Sequence, residues 1–126
     1  MINVNALSDA AWSARERARV HGPTRVGAAA LATDGSIYAG ANVEHRFRSH
    51  DVHAEVNAIS TLVAASSEAL VAIFIAAERD HFTPCGACLD WVFEIGGPDT
   101  EVLVQGALGG PVTGYRAKDL MPHYPR

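Results

Sequence analysis

The sequence predicts an α/β sandwich in which strands alternate with helices around a central sheet. Three observations carry that expectation. Val-Ala-Ile-Phe-Ile-Ala-Ala over residues 71–77 is nearly continuously apolar, the pattern of a strand buried on both faces. Asp34-Gly35 separates two short runs of strand character, as a hairpin turn does. Helical spacing recurs at Ala54, Ala58, Ile59 and Leu62, and again at Cys85, Cys88, Leu89, Val92 and Phe93. With 126 residues, 48% of them hydrophobic, the chain suits a single domain over 1–126 with one small core.

The elements follow in order. Ser8 and Asp9 are placed to cap and charge a helix over 10–20, with Leu7, Ala11 and Ala14 on its apolar side, and His21-Gly22-Pro23 stops it. Residues 26–33 read as a buried strand, and 36–42 return antiparallel to it after the turn. Residues 43–52 are polar and aperiodic, a loop delivering the chain to a helix over 53–65. After the 71–77 strand and a loop over 78–84, a helix starts at Cys85 and closes at Gly96-Gly97-Pro98. Residues 101–105 form a fourth strand, 111–115 a short fifth, and 117–121 a terminal helical turn before Pro122. There are no repeats and no low-complexity tract.

Charge and cysteine usage narrow the function. A net charge of −4 lacks the clustered basic surface that polynucleotide binders use, so a small-molecule partner is expected and a nucleic acid polymer is not. Of the two basic clusters, Arg15, Arg17 and Arg19 fit a solvated helix face, while Arg46 and Arg48 lie just before the motif described next. Met1-Ile2-Asn3-Val4-Asn5 has neither the basic segment nor the apolar run of a secretory signal, and no stretch is apolar and long enough to span a bilayer. A cytoplasmic protein without membrane contact is the expectation. The only two cysteines stand three apart, which is metal-ligand or redox spacing in a reducing compartment.

His53-Ala54-Glu55 and, about thirty residues later, Pro84-Cys85-Gly86-Ala87-Cys88 are the chemically loaded segments. They supply three metal-ligand side chains, His53, Cys85 and Cys88, and one further carboxylate, Glu55. A structural zinc site is normally closed by four protein ligands, whereas three leave a place for water, whose pKa the metal lowers towards about 7. Both halves fall where a strand or loop enters a helix. There the helix dipole lowers thiolate pKa values, and first-turn N–H groups are free to bond sulfur. Residues two apart on a helix point in different directions, so His53 can ligate while Glu55 faces the open position.

With the motif in this order of strands and helices, the chain resembles the cytidine deaminase family over nearly its whole length. H-x-E…P-C-x-x-C is the signature of zinc-dependent nucleobase deaminases. Val26-Gly27-Ala28-Ala29 with Asp34-Gly35 is similar to the family's first hairpin, Asn42-Val43-Glu44 to its nucleoside-binding motif, and Leu120-Met121-Pro122 to its Leu-Leu-Pro ending. The resemblance implies a three-layer sandwich with a five-stranded mixed sheet flanked by helices. It also implies a homo-oligomer, tetramer or dimer, whose sites borrow residues from neighbours. Zn²⁺ would sit on His53, Cys85 and Cys88. Glu55 would take a proton from water, deliver it to the ring nitrogen and later protonate the departing amine. Main-chain groups near Ala54 and Cys85 would fix the base edge, and Asn42 and Glu44 would hold the sugar hydroxyls.

Three positions depart from the family's pattern. Thr24 stands where many relatives carry an aromatic residue that packs on the pyrimidine, which leaves His45, Phe47 or a neighbour's Tyr124 as candidates for stacking. His45 replaces the usual Asn and is similar to the blasticidin S deaminase branch, which lacks the Glu44 equivalent. Leu89 replaces an Arg; a neutral His53 and two thiolates already balance Zn²⁺. The expected activity is hydrolytic deamination of cytidine or deoxycytidine in pyrimidine salvage, with a nucleoside antibiotic or another amino-heterocycle as the alternative substrate. Two rival classes make distinct demands. A thiol redox protein would use Cys85 and Cys88 but leaves His53 and Glu55 without a task. A non-catalytic zinc module would need a fourth ligand such as His50, Asp51 or His81.

Overall fold

The computed structural model describes residues 2–124. Its elements are helix α1 (Val4–Arg15), strands β1 (Val26–Ala32) and β2 (Ile37–Ala41), helix α2 (Ala54–Ala65), strand β3 (Leu70–Ala77), helix α3 (Gly86–Gly96), strands β4 (Glu101–Gln105) and β5 (Val112–Arg116), and the short helix α4 (Ala117–Leu120). A 3-10 turn, Arg48–His50, interrupts the loop after β2.

The sheet has the order β2-β1-β3-β4-β5. β1 pairs antiparallel with both β2 and β3, β3 pairs parallel with β4, and β5 returns antiparallel to β4. The expected five-stranded mixed sheet is therefore present. β2, β3 and β4 all run the same way, so their carboxyl ends share one edge of the sheet. α2 follows β2 and α3 follows β3, which brings both helix N-termini back to that edge, where open α/β sheets place their ligands.

The alternation of side chains along the strands divides the core between the two faces of the sheet. Ala28, Ala30, Ile73, Ile75, Val102 and Val104 pack against Ala58, Ile59 and Leu62 of α2 and Val92 and Phe93 of α3. Ala29, Ala72, Phe74 and Ala76 pack on the other face against Leu7, Ala11 and Trp12 of α1. Seven of the eight residues of β3, all but Val71, are buried, as its continuous apolar run predicts.

One element lies elsewhere than the sequence predicts. α1 begins at Val4, because the Asn3 side chain accepts from the Ala6 N–H at 3.0 Å and caps it. Ser8 lies inside the helix, and its hydroxyl donates to Gln105 Oε1 at 2.8 Å. The Trp12 indole N–H meets the same oxygen at 2.7 Å, so Gln105 at the end of β4 ties down the face of α1. Of the predicted apolar side, Leu7 and Ala11 are buried and Ala14 is half-buried. The basic residues differ accordingly. Arg15 ends the helix against Glu78 at 3.5 Å, and Arg19, beyond it, donates to the Glu44 carbonyl at 2.6 Å.

Candidate active site

Two helix starts build the site. His53 precedes α2 in an extended conformation (φ −73°, ψ 151°), and Cys85 precedes α3 likewise (φ −70°, ψ 168°). Each backbone carbonyl accepts the first helical bond, from Asn57 and Leu89 respectively. Neither side chain caps its own helix, so both remain available for other partners. Cys88, one turn into α3, is fully buried and points at the same place.

His53 Nδ1 lies 3.3 Å from Cys88 Sγ and 3.4 Å from Cys85 Sγ, and the two sulfurs are 3.5 Å apart. Bond lengths of zinc to sulfur and nitrogen place tetrahedral donors about 3.6–3.8 Å from one another. The three atoms thus form one slightly contracted face of such a tetrahedron. Among the described residues these three are the group able to hold a metal ion, and His50, Asp51 and His81 are not part of it. The donor set fits zinc with one open position. Among the described residues no fourth ligand joins the group.

Glu55 stands in the first turn of α2 and is only 7% exposed. Burial pushes its carboxyl above the usual range, while hydrogen bonds from its own N–H and from Cys88 and the nearby His53 act in the opposite direction. The Cys88 thiol is raised far above its ordinary value, first by burial and then by the charge of Glu55. The lowering expected from the helix start is outweighed there. A buried thiol of this kind gives up its proton to a coordinating cation, which the neighbouring His53 and Cys85 donors are placed to share. Leu89, next to the ligand, is buried at 4% exposure, a site suited to an apolar side chain.

Beside this triad opens a cavity of about 410 Å³. Glu55, Ala54, His53 and Cys85 line its metal side, Asn42, Glu44, Arg48 and Asp51 its polar side, and Thr24, Val26, Ile75 and Phe82 further wall. The Asn42 amide is fixed at both ends: Oδ1 accepts from Val26 N–H and Nδ2 donates to the Thr24 carbonyl, each at 2.9 Å. Glu44 Oε1 accepts from the N–H groups of His21 (2.7 Å) and Gly22 (2.9 Å), and Oε2 pairs with Arg48 at 2.9 Å. The Gly22 and His21 bonds, with Arg48 behind them, hold the Glu44 carboxyl below its usual value. Arg48 also reaches Asp51 at 2.8 Å and so braces the loop on Glu44.

The expected stacking residues are placed differently. His45 and Phe47 do not line the cavity; they cluster with His50 at the exposed tip of the loop, where the Phe47 N–H donates to His45 Nδ1 at 2.9 Å. Tyr124 lies face to face on Phe93, ring centroids 4.1 Å apart, so within this chain it belongs to α3; the role named for it concerns a neighbouring copy. Arg46 is exposed and absent from the cavity wall, whereas Arg48 is part of it. Phe82 and Arg79 are cavity residues that sequence reasoning passed over. The signal available was position alone, since Phe82 stands three residues before Cys85.

Comparison with known proteins identifies relatives of this chain. The family model described as the cytidine and deoxycytidylate deaminase zinc-binding region matches residues 1–104. A cytidine deaminase of Halalkalibacterium halodurans is 34% identical over 114 residues, covering 89% of this chain and 86% of the relative. The crystal structure of a cytidine deaminase from Burkholderia pseudomallei superposes with a TM-score of 0.88 at 33% identity, covering 97% of this chain and 98% of that one. The cytidine deaminase from Mycobacterium leprae gives 0.85 at 29% identity, with 98% and 100% covered.

Proposed function

This chain belongs to the cytidine and deoxycytidylate deaminase family, and from that premise we propose that it is a zinc-dependent aminohydrolase converting cytidine or deoxycytidine to the keto nucleoside with release of ammonia. The observation that carries the reading is the buried Glu55 carboxyl on a cavity lined also by His53 and Cys85, two of the three donors that converge with Cys88. An open-sided metal with an adjacent proton carrier is a hydrolytic site.

His53 Nδ1, Cys85 Sγ and Cys88 Sγ would hold the zinc, and the Lewis acidity it would supply makes water acidic enough to act as a nucleophile near neutral pH. Glu55 takes the proton that water gives up as the C–O bond forms at the amino-bearing carbon, and passes it to the adjacent ring nitrogen. It then takes the remaining proton from the new C–OH group as the C=O bond forms and delivers it to the amine, the C–N bond breaks, and ammonia leaves. Burial suits Glu55 to this exchange because a raised carboxyl pKa lies closer to neutrality, where a group both accepts and returns a proton efficiently. Main-chain groups of Ala54 and Cys85 face the base edge.

Asn42 and Glu44 hold the sugar hydroxyls. Their side chains are pre-set by the backbone of Thr24, Val26, His21 and Gly22, so little side-chain freedom is lost when the sugar binds. An ammonia-release screen across cytidine, deoxycytidine, blasticidin S, cytosine, adenosine and guanine tests the assignment. Cytidine and deoxycytidine are expected to lead; preference for free cytosine would refute the sugar roles.

The same reading makes the protein a cytoplasmic homo-oligomer acting in pyrimidine salvage. Free thiol ligands suit a reducing compartment, and Val63 on α2 and Trp91 on α3 are half-exposed apolar side chains that a second copy could cover. A solution mass of 13.4 kDa, that of one chain, would refute the oligomer.

A further inference from the structure

We propose that Phe82 is the platform on which the substrate's heterocycle stacks, with Arg79 bracing the other face of the ring; this rests on the deaminase reading above. Among the described residues, Phe82 is the only Phe, Tyr or Trp that lines the catalytic cavity. The other rings near this edge are committed elsewhere: His45, Phe47 and His50 to one another, and Tyr124 to Phe93. Thr24 lines the wall but offers no ring.

Phe82 is held as a platform must be. It is half-buried and packs against the core cluster shared by α2 and α3. The Arg79 guanidinium carbon sits 5.8 Å from the ring centroid, a cation–π distance, and occupies one face. Only Thr83 and Pro84 separate Phe82 from the ligand Cys85, and Pro84 is buried, so the ring is tied closely to the metal donors.

The segment bearing it is fixed against β4. The Arg79 N–H bonds the Ala77 carbonyl at 2.9 Å, and His81 adopts φ +44°, a left-handed conformation uncommon for a side-chain-bearing residue. A Cβ at position 106 would meet the Arg79 carbonyl oxygen at 2.2 Å; glycine alone allows that approach. A second cavity of about 410 Å³, lined by this segment, the end of β4 and β5, shares Phe82 and Arg79 with the first. The ring is thus part of the catalytic cavity's wall, anchored by the core, with one cation over one of its faces. A flat neutral heterocycle complements such a surface by offset stacking.

Steady-state deamination of cytidine by the zinc-loaded protein tests this, comparing Phe82→Leu, Phe82→Met, Phe82→Tyr and Arg79→Met, with zinc content and melting temperature measured for each. Loss of the ring in either of the first two is expected to raise KM about tenfold, equivalent to about 1.4 kcal/mol, with kcat within about threefold of the parent and zinc retained. Phe82→Tyr should return KM to within about threefold of the parent, and Arg79→Met should raise it less than loss of the ring does. An unchanged KM in whichever of the Leu and Met variants folds, or a raised KM that Tyr fails to restore, overturns the platform. If the parent does not deaminate cytidine, the deaminase reading itself fails; an active parent with an indifferent Phe82 defeats the stacking role alone.

Discussion

Glu44 illustrates how a side chain is committed before any ligand arrives. Two backbone N–H groups and Arg48 hold its carboxylate, and each bond favours the charged form. Its folded pKa lies below the ordinary 4.5, so its contribution to stability is fully present above about that pH and is lost as pH falls through the lower folded value. Glu44→Gln removes the ion pair and the anionic acceptor. The stability gap between parent and variant is therefore expected to be constant from pH 7 to 5 and to narrow as pH falls further below 4.5. Denaturant titrations of both proteins at matched pH and zinc content measure it. A gap that widened on acidification would show the sign to be wrong.

At the scale of elements, the close seating of α1 on β1 depends on Gly27. A Cβ there would lie 1.9 Å from the Ala11 carbonyl oxygen and 2.7 Å from the Arg15 N–H, both backbone atoms of α1 that cannot yield locally. Gly27→Ala should lift the helix and cost about 1–3 kcal/mol, the usual range for overpacking. Urea unfolding reads the loss; an unaltered midpoint would show that α1 tolerates displacement. The sequence made most of these elements legible because each carried a local signal: the apolar run of β3, the Asp34-Gly35 turn with Gly35 at φ +90°, and the spacing of α2 and α3. The start of α1 was not legible, because Ser8 has the chemistry of a cap but is drawn to Gln105, 97 positions away in sequence. Long-range bonds of that kind leave no trace in a local pattern. The same limit applies to stacking, since Phe82 enters the cavity through the course of its loop and not through any spacing.

At the scale of the whole molecule, the parallel run of β2, β3 and β4 turns two sequence segments into one site. Each helix returns to the carboxyl edge of the sheet, and donors separated by 32 and 35 positions meet within 3.5 Å. The three metal-ligand side chains and the place of Glu55 beside them could be read from the sequence because residue type and spacing close to a helix start carry that signal. The polar wall could be read only in part: Asn42 and Glu44 were visible as a motif, but the Arg48–Asp51 brace emerges only when the 3-10 turn folds the loop back.

The central claim is that Glu55 moves the proton in a zinc-dependent deamination. Ammonia release from cytidine by parent and Glu55→Gln, with zinc quantified in both, tests it most directly. The account predicts about one zinc per chain in each protein and a fall in kcat of at least about 10²-fold in the variant. Undiminished turnover by a zinc-loaded Glu55→Gln protein would contradict it.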